Sequence, residues 1–204
     1  MTIQGGLDAL FRHDDQVFVA GDLFWYPMEG APRIRTAPDI LVVFGWSKGH
    51  RRSYKQWEEG NIAPQVVFEI RSPGNRFGEL QEKFQFYERY GVEEYYLYDP
   101  DFNTLEGWIR HKGTLRSIDW INGWTSPLLK VRFVVNGNTL TIYRPDGEKF
   151  ASYVELEEQR ASALLEAKSA QKKAEEEQKL RQAAEAEKER LAAKLRELGI
   201  SPEA

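Results

Sequence analysis

Two carboxylates and one amine lie in or beside segments that are otherwise mostly apolar. Asp39 immediately precedes an apolar run at 40–44, and Glu69 lies inside a second apolar run at 66–71. An ionised carboxylate is costly to bury unless it is paired with a cation or binds a metal ion. Lys83 follows in a segment with helical periodicity. These three groups are of the types that hold a divalent cation and position a water molecule beside it.

The run at 66–71 predicts a strand, in which successive side chains point to opposite faces. Phe68 and Ile70 then share one face, and Glu69 and Arg71 share the other. Glu69 is therefore a carboxylate in the middle of a strand whose neighbours are apolar.

The next segment predicts a helix over 78–90. Leu80, Phe84 and Tyr87 recur at the spacing of a helix face that packs on a core. Lys83 flanks this apolar stripe, so its side chain leans towards the sheet that carries Glu69.

A strand, a helix and a second strand follow one another from 66 to 98, with Gly91 as a plausible end of the helix. This order predicts a parallel, right-handed crossover and an α/β fold. Helix 3–12 and strand 17–20 precede it. Short strand candidates follow between 105 and 143, and they indicate an antiparallel extension of the sheet or a separate flanking sheet.

The aromatic residues divide the chain, because every Phe, Tyr and Trp lies at or before Tyr153. We therefore expect a globular domain over 1–152, a charged helix over 153–198 and a flexible C-terminus over 199–204. The helix carries a weak heptad seam, made of Ala163, Ala167, Ala170, Ala174, Ala184, Leu191, Leu195 and Leu198. Glu177, Arg181 and Lys188 fall on the same seam, so a coiled coil, a solvated single helix and a dimerising arm all stay open.

The composition excludes several classes of protein and of site. The chain has no cysteine, which removes disulfides and thiolate metal sites and suits a reducing cytoplasm. Its net charge of −4 is not that of a dedicated nucleic-acid binder. No apolar run approaches the ~20 residues that span a bilayer, and the N-terminus does not resemble a signal peptide. We expect a cytoplasmic protein with no membrane contact.

The long connection at 45–64 concentrates basic and aromatic residues. Arg51 and Arg52 lie between Trp46 and Trp57, and basic groups suit phosphates whereas aromatic faces suit unstacked bases. The alternative is a solvated loop held in place by its tryptophans.

These motifs, in this order, resemble the Uma-two family, a set of endonuclease-like proteins in the PD-(D/E)XK superfamily. The resemblance covers most of the globular part. The fragments that carry it are Pro38-Asp39, Glu69-x-Arg71, Lys83 and Gly91-Val92-Glu93-Glu94-Tyr95, together with 22–26, 57–60 and 95–100. It implies a restriction-endonuclease-like mixed β-sheet flanked by helices, with an added antiparallel β region and a long C-terminal helix.

The resemblance also implies roles for individual residues. Asp39 and Glu69 would bind Mg²⁺ or Mn²⁺ together with the backbone carbonyl of Ile70, and Lys83 would be the catalytic lysine. Arg71 departs from the superfamily pattern, which has lysine there. Arginine stays protonated and cannot act as a base, but it can clamp a phosphate.

The expected activity is Mg²⁺-dependent endonucleolytic cleavage of DNA, with Arg71, Arg51 and Arg52 as candidate phosphate contacts and a homodimer as a possible assembly. The alternative is a catalytically weak or inactive module that binds or scaffolds through its C-terminal helix.

Each site residue also has a structural interpretation. Asp39 would cap a strand end, Glu69 would pair with Arg71 or Arg35, and Lys83 would pack its stem on the core. Asp22 and Glu29 are the candidates for a further acidic group.

Overall fold

The structure is a computed structural model that describes residues 3–72, 74, 77–137, 139–151 and 153–197. Its helices are α1 (Ile3–Leu10), α2 (Phe77–Tyr90) and α3 (Tyr153–Glu197), and Gln56–Glu58 forms a short 3-10 turn. Its strands are β1 (Val17–Gly21), β2 (Trp25–Tyr26), β3 (Ile40–Phe44), β4 (Tyr54–Lys55), β5 (Val66–Ile70), β6 (Glu94–Asp99), β7 (Thr104–His111), β8 (Thr114–Ser117), β9 (Arg132–Asn136) and β10 (Thr139–Tyr143).

Six of these strands form one mixed sheet in the order β1-β3-β5-β6-β7-β8. β5 and β6 are parallel and are joined through α2, whereas the other neighbours in this sheet are antiparallel. The predicted α/β fold with a mixed sheet is confirmed. Both suggestions for the region after 105 apply, because β7 and β8 extend the main sheet while β9 and β10 pair separately.

The two faces of β5 contribute to two different cores. Val66 and Phe68 pack in a cluster with α1, β9 and β10, whereas Val67 packs in a cluster with Leu80 and Tyr87 of α2. The alternation predicted for this strand is therefore present, and Glu69 lies on the side that α2 covers.

Helix α2 ends where the sequence indicates. Gly91 has φ +95°, a left-handed conformation that an L side chain rarely adopts. Val92 N–H then donates to the carbonyl of Tyr87 at 3.1 Å, and the chain enters β6 three residues after Gly91. This short turn fixes α2 against the parallel pair β5–β6.

The chain divides into two compact units, Met1–Ser152 and Tyr153–Ala204. Helix α3, taken by itself, runs for 45 residues, and its side chains are exposed almost throughout. Leu198 and the expected C-terminal segment 199–204 lie outside the described residues. Within the described ranges, no helix combines the length and the apolar character needed to cross a bilayer.

Candidate active site

Glu69 is a buried carboxylate with both oxygens engaged. Its side chain, on the central strand β5, is 2% exposed. Lys83 Nζ donates to Oε2 at 2.7 Å, and the Tyr87 hydroxyl donates to Oε1. Pairing and hydrogen bonds of this kind offset the free-energy cost of removing a charged carboxylate from water.

Lys83 connects the two segments that carry the acids. Besides its bond to Glu69, its Nζ donates to the carbonyl of Ala37 at 3.3 Å, two residues before Asp39. Its side chain is 16% exposed. An ammonium group has three donors, and the described residues supply acceptors for two of them.

Asp39 meets β5 at the strand end. Its Oδ2 accepts a hydrogen bond from the backbone N–H of Ile70 at 2.5 Å. Because the N–H and C=O of one strand residue point to the same side, the carbonyl of Ile70 also faces the β3 side, where Asp39 lies. The three oxygen donors expected for a metal thus come from Glu69 and Ile70 at the end of β5 and from Asp39, the residue before β3.

The electrostatics of Glu69 indicate a carboxyl poised near neutrality. Burial raises its pKa to about 7, against the opposing effects of Lys83 and the Tyr87 hydroxyl, and the nearby charge of Asp39 raises it further. Burial and the Glu69 charge also raise the pKa of Tyr87 well above its ordinary value. The phenol therefore stays a hydrogen-bond donor at any physiological pH.

A cavity of about 710 Å³ opens beside Asp39, whereas Glu69, Lys83 and Tyr87 are not among its described lining residues. Asp39 and Ile70 are part of its lining, with Ser72 and Tyr98. Asp22 also lines it, and the backbone N–H of Asp22 donates to the Asp39 carbonyl at 3.3 Å. Of the two further acids considered from the sequence, Asp22 is the one that shares this cavity, whereas Glu29 is exposed and does not appear among its described lining residues.

The donor set fits a hard divalent cation. Two carboxylates and a backbone carbonyl are oxygen ligands of the kind that Mg²⁺ and Mn²⁺ prefer. Among the described residues, no three His, Cys, Asp or Glu side chains are grouped closely enough to hold a metal ion. A cation here would therefore keep several waters, as Mg²⁺ usually does.

The sequence pattern of the Uma2 family, described as "Putative restriction endonuclease", matches residues 3–170. The chain belongs to the Uma2 family. No curated protein matches it. Among solved structures, it is similar to "a putative nuclease belonging to DUF820 from Anabaena variabilis ATCC 29413", with 16% sequence identity and a TM-score of 0.43. That match covers 61% of this chain and 66% of the other, which is just under two thirds of its length.

In this Uma2 chain, Arg71 and Arg35 have partners other than Glu69. Arg71 pairs with Asp99 at 3.2 Å, and Arg35 donates to the Tyr26 hydroxyl at 2.9 Å. The interpretation of Glu69 as a partner of Arg71 or Arg35 is therefore wrong. The Arg71 side chain is 42% exposed, so part of its guanidinium stays available.

The two arginines of the basic loop differ from each other. Arg51 donates to Glu59 at 2.7 Å and to two backbone carbonyls, and its guanidinium lies over the ring of Phe18. Arg52 is exposed. The first mainly holds the loop together, which leaves the second better placed to meet a phosphate.

Tyr87 is the site residue that the sequence analysis missed. Helical spacing predicts Tyr87 to be part of the apolar stripe of α2, and its ring is buried and stacked on Trp25. A signal was present, because residues four apart on a helix share one face. Lys83 and Tyr87 have this spacing, so a carboxylate facing one of them also meets the other.

Proposed function

We propose that this Uma2 chain is a divalent-metal-dependent endonuclease that hydrolyses phosphodiester bonds in DNA. The observation that supports it best is that Lys83 bonds both to Glu69 and to the carbonyl of Ala37, two residues before Asp39, whose carboxylate accepts from the backbone N–H of Ile70 next to Glu69. Separate structural roles would not require a buried carboxylate, an ammonium and a second carboxylate to meet at the end of one strand.

Asp39, Glu69 and the carbonyl of Ile70 would hold Mg²⁺ or Mn²⁺. When bound, such an ion supplies stabilisation of charge on the phosphoryl oxygens and lowers the pKa of a bound water. The raised pKa of Glu69 is consistent with this role, because a carboxyl that ionises near neutrality gains from a cation placed beside it.

Lys83 orients the attacking water in this proposal. Two of its three N–H donors are occupied by Glu69 and the Ala37 carbonyl, and the third would donate to a water or to a phosphoryl oxygen. The Glu69 carboxylate holds the ammonium in place, so its position does not depend on the substrate.

Arg71 contacts phosphate rather than transferring a proton. The planar fork of a guanidinium suits bidentate recognition of phosphate. Asp99 occupies one part of the fork at 3.2 Å. Arg52 supplies a second phosphate contact from the basic loop, whereas Arg51 is largely engaged by its own loop.

The test compares cleavage of supercoiled and linear DNA by the wild-type chain and by Asp39→Asn and Lys83→Met, with Mg²⁺, Mn²⁺ or Ca²⁺ present. We expect cleavage with Mg²⁺ or Mn²⁺ and a loss of at least ~100-fold in both variants. Asp119→Asn and Lys168→Met remove the same charges at exposed positions and serve as controls. Equal cleavage by wild type and Asp39→Asn would exclude this site.

A binding or scaffolding module is the second candidate. It is favoured by the internal partners that already engage both oxygens of Glu69 and one oxygen of Asp39, and by arginine at position 71. Calorimetric titration of the wild-type chain with Mn²⁺ separates the two proposals. Metal binding that Asp39→Asn abolishes supports the nuclease, whereas no binding and no cleavage with DNA affinity retained supports the module.

A further inference from the structure

Helix α3 exposes leucines that its own unit does not cover. Leu164 is 57% exposed and Leu180 is 72% exposed. Scattered apolar residues on a surface need no explanation, but these belong to a 45-residue helix with a recurring heptad seam. An exposed seam of this kind is typical of a helix that packs against a partner helix.

Charges on the seam argue against a parallel pair of identical helices. In a parallel pair in register, each seam residue meets its own counterpart. Glu177 would then face a second Glu177, Arg181 a second Arg181 and Lys188 a second Lys188. Three layers of like charge within 12 residues of one helix are strongly unfavourable.

We propose that α3 pairs antiparallel with α3 of a second copy of this chain, with the two-fold axis passing beside Lys179. Residues equally far on either side of Lys179 then face each other across the seam. Glu177 of each copy meets Arg181 of the other, so two of the three charged layers that oppose a parallel pair become two ion pairs at the centre. Lys188 faces Ala170 and no longer a like charge.

Residue size is complementary in the same register. Ala163 and Ala167 in the first half of the helix face Leu195 and Leu191 in the second half. Small residues opposite large ones allow the two helices to interdigitate along their length. In the parallel arrangement, alanine layers would lie together at one end and leucine layers at the other.

The positions that flank the seam supply an independent match. In an antiparallel pair, a residue that flanks the seam on one side lies next to a residue of the partner helix that flanks the seam on the same side. Glu166 then lies near Lys194 of the second copy, and Lys173 lies near Glu187. These pairs were not used to choose the register, which was set by Glu177 and Arg181.

Leu164 and Leu180 are covered by the same arrangement, whereas Leu165, which is 69% exposed, stays on the outer face. Leu180 lies next to the two-fold axis and meets Leu180 of the second copy, whereas Leu164 meets Ala192. Burial of these side chains supplies the apolar contribution that the alanine-rich seam lacks. The antiparallel pair thus accounts together for Glu177 and Arg181 on the seam, for the flanking charges, and for Leu164 and Leu180.

Distances between spin labels test the arrangement in the full-length chain. The native sequence has no cysteine, so Lys179→Cys and Leu165→Cys each carry a single label on the face opposite the seam. At 1.5 Å rise per residue, an antiparallel pair places the two labels level at position 179 and about 42 Å apart along the axis at position 165. Equal distances at both positions indicate a parallel pair, and no dipolar coupling indicates a monomer. Either result overturns the proposal.

Charge reversal provides a second test, read as molar mass in solution. We expect Glu177→Arg to weaken the dimer at least ~10-fold, and the double variant Glu177→Arg with Arg181→Glu to restore it. Lys172→Glu reverses a charge on the outer face and serves as the control. A parallel dimer would not be rescued, because each layer would still place like charges together. A wild-type chain that stays monomeric at high micromolar concentration also refutes the inference, and it leaves the proposed nuclease site untouched.

Discussion

The ammonium nitrogen of Lys83 lies 2.7 Å from Oε2 of Glu69, although the two residues belong to different elements, α2 and β5. Glu69 is 2% exposed and Lys83 is 16% exposed, so the pair is largely shielded from water. The same ammonium reaches the Ala37 carbonyl, just before Asp39. Lys83 therefore opposes the effect of burial on the pKa of Glu69, and each partner fixes the position of the other.

Lys83→Met should destabilise the metal-free protein by about 1–3 kcal/mol, because it leaves a buried carboxyl without its cation. The cost should be larger at pH 8 than at pH 6, since Glu69 can take up a proton at the lower pH. Urea unfolding followed by far-UV circular dichroism measures both values. If the loss is the same at the two pH values, the two side chains are not electrostatically coupled.

Tyr87→Phe should cost more stability than Tyr54→Phe. Both hydroxyls belong to buried tyrosines, but Tyr87 donates to a carboxylate whereas Tyr54 donates to the Ile62 carbonyl at 2.7 Å. Hydrogen bonds to charged groups contribute about 1.5–3 kcal/mol and neutral ones about 1 kcal/mol. Denaturant midpoints of the two variants make the comparison. An equal loss would mean that the Tyr87 hydroxyl does not hold a charged Glu69.

The sequence was sufficient to predict where a residue lies when its position follows from local periodicity. Alternation placed Glu69 on one face of β5, and helical spacing placed Lys83 beside the apolar stripe of α2. Both predictions needed only the residues within one element. The fold class followed for the same reason, because strand, helix and strand succeed one another between 66 and 99.

Contacts between distant segments were not predictable in this way. The pairing of Arg71 with Asp99, rather than with Glu69, depends on the register between β5 and β6. The contacts of Arg51 depend on the path of a loop that has little regular structure beyond the two-residue strand β4 and one 3-10 turn. Such contacts are set by the tertiary fold, which residue spacing does not encode.

The metal-free protein should lose stability as the pH rises from about 4.5 to about 7. Burial raises the pKa of Glu69 from 4.5 to about 7, so the folded state binds its proton more tightly than the unfolded state does. The resulting stabilisation is fully present below pH 4.5 and is lost as the pH passes the folded-state pKa. The slope can reach about 1.4 kcal/mol per pH unit.

Glu69→Gln isolates this contribution, because the variant has no proton to release at that position. Unfolding free energies of both proteins at pH 5, 6 and 7 give the difference, and any histidine contributions cancel. Saturating Mg²⁺ should flatten the wild-type curve if the ion binds the ionised carboxylate. Parallel curves for wild type and variant would contradict the raised pKa.

Glu94→Gln should reduce stability without affecting metal binding. Glu94 is as buried as Glu69, at 1% exposed, but its oxygens accept from the hydroxyls of Tyr96 and Ser126 and from the Leu128 N–H. We expect a loss of about 1–3 kcal/mol in urea unfolding and unchanged calorimetric Mn²⁺ binding. A weakened Mn²⁺ affinity would indicate that Glu94, and not only Glu69, contributes to the cation site.

Arg71→Ala should weaken DNA affinity while leaving Mn²⁺ binding unchanged. Its guanidinium is partly exposed and bound to Asp99, and that contact together with the Phe102 and Asp101 N–H groups lowers the pKa of Asp99 although burial opposes the shift. Asp99 therefore stays ionised and holds Arg71 in one orientation. Removing one phosphate contact should reduce the slope of log affinity against log salt by about 1.

Fluorescence anisotropy with labelled DNA, at several salt concentrations and with Ca²⁺ in place of Mg²⁺, measures both the affinity and the slope. Arg116→Ala removes an exposed arginine from β8 and serves as the matched control. A variant whose slope matches the control would mean that Arg71 only supports Asp99 and the turn that follows β6. The phosphate contact would then have to come from Arg52, which the same titration of Arg52→Ala detects.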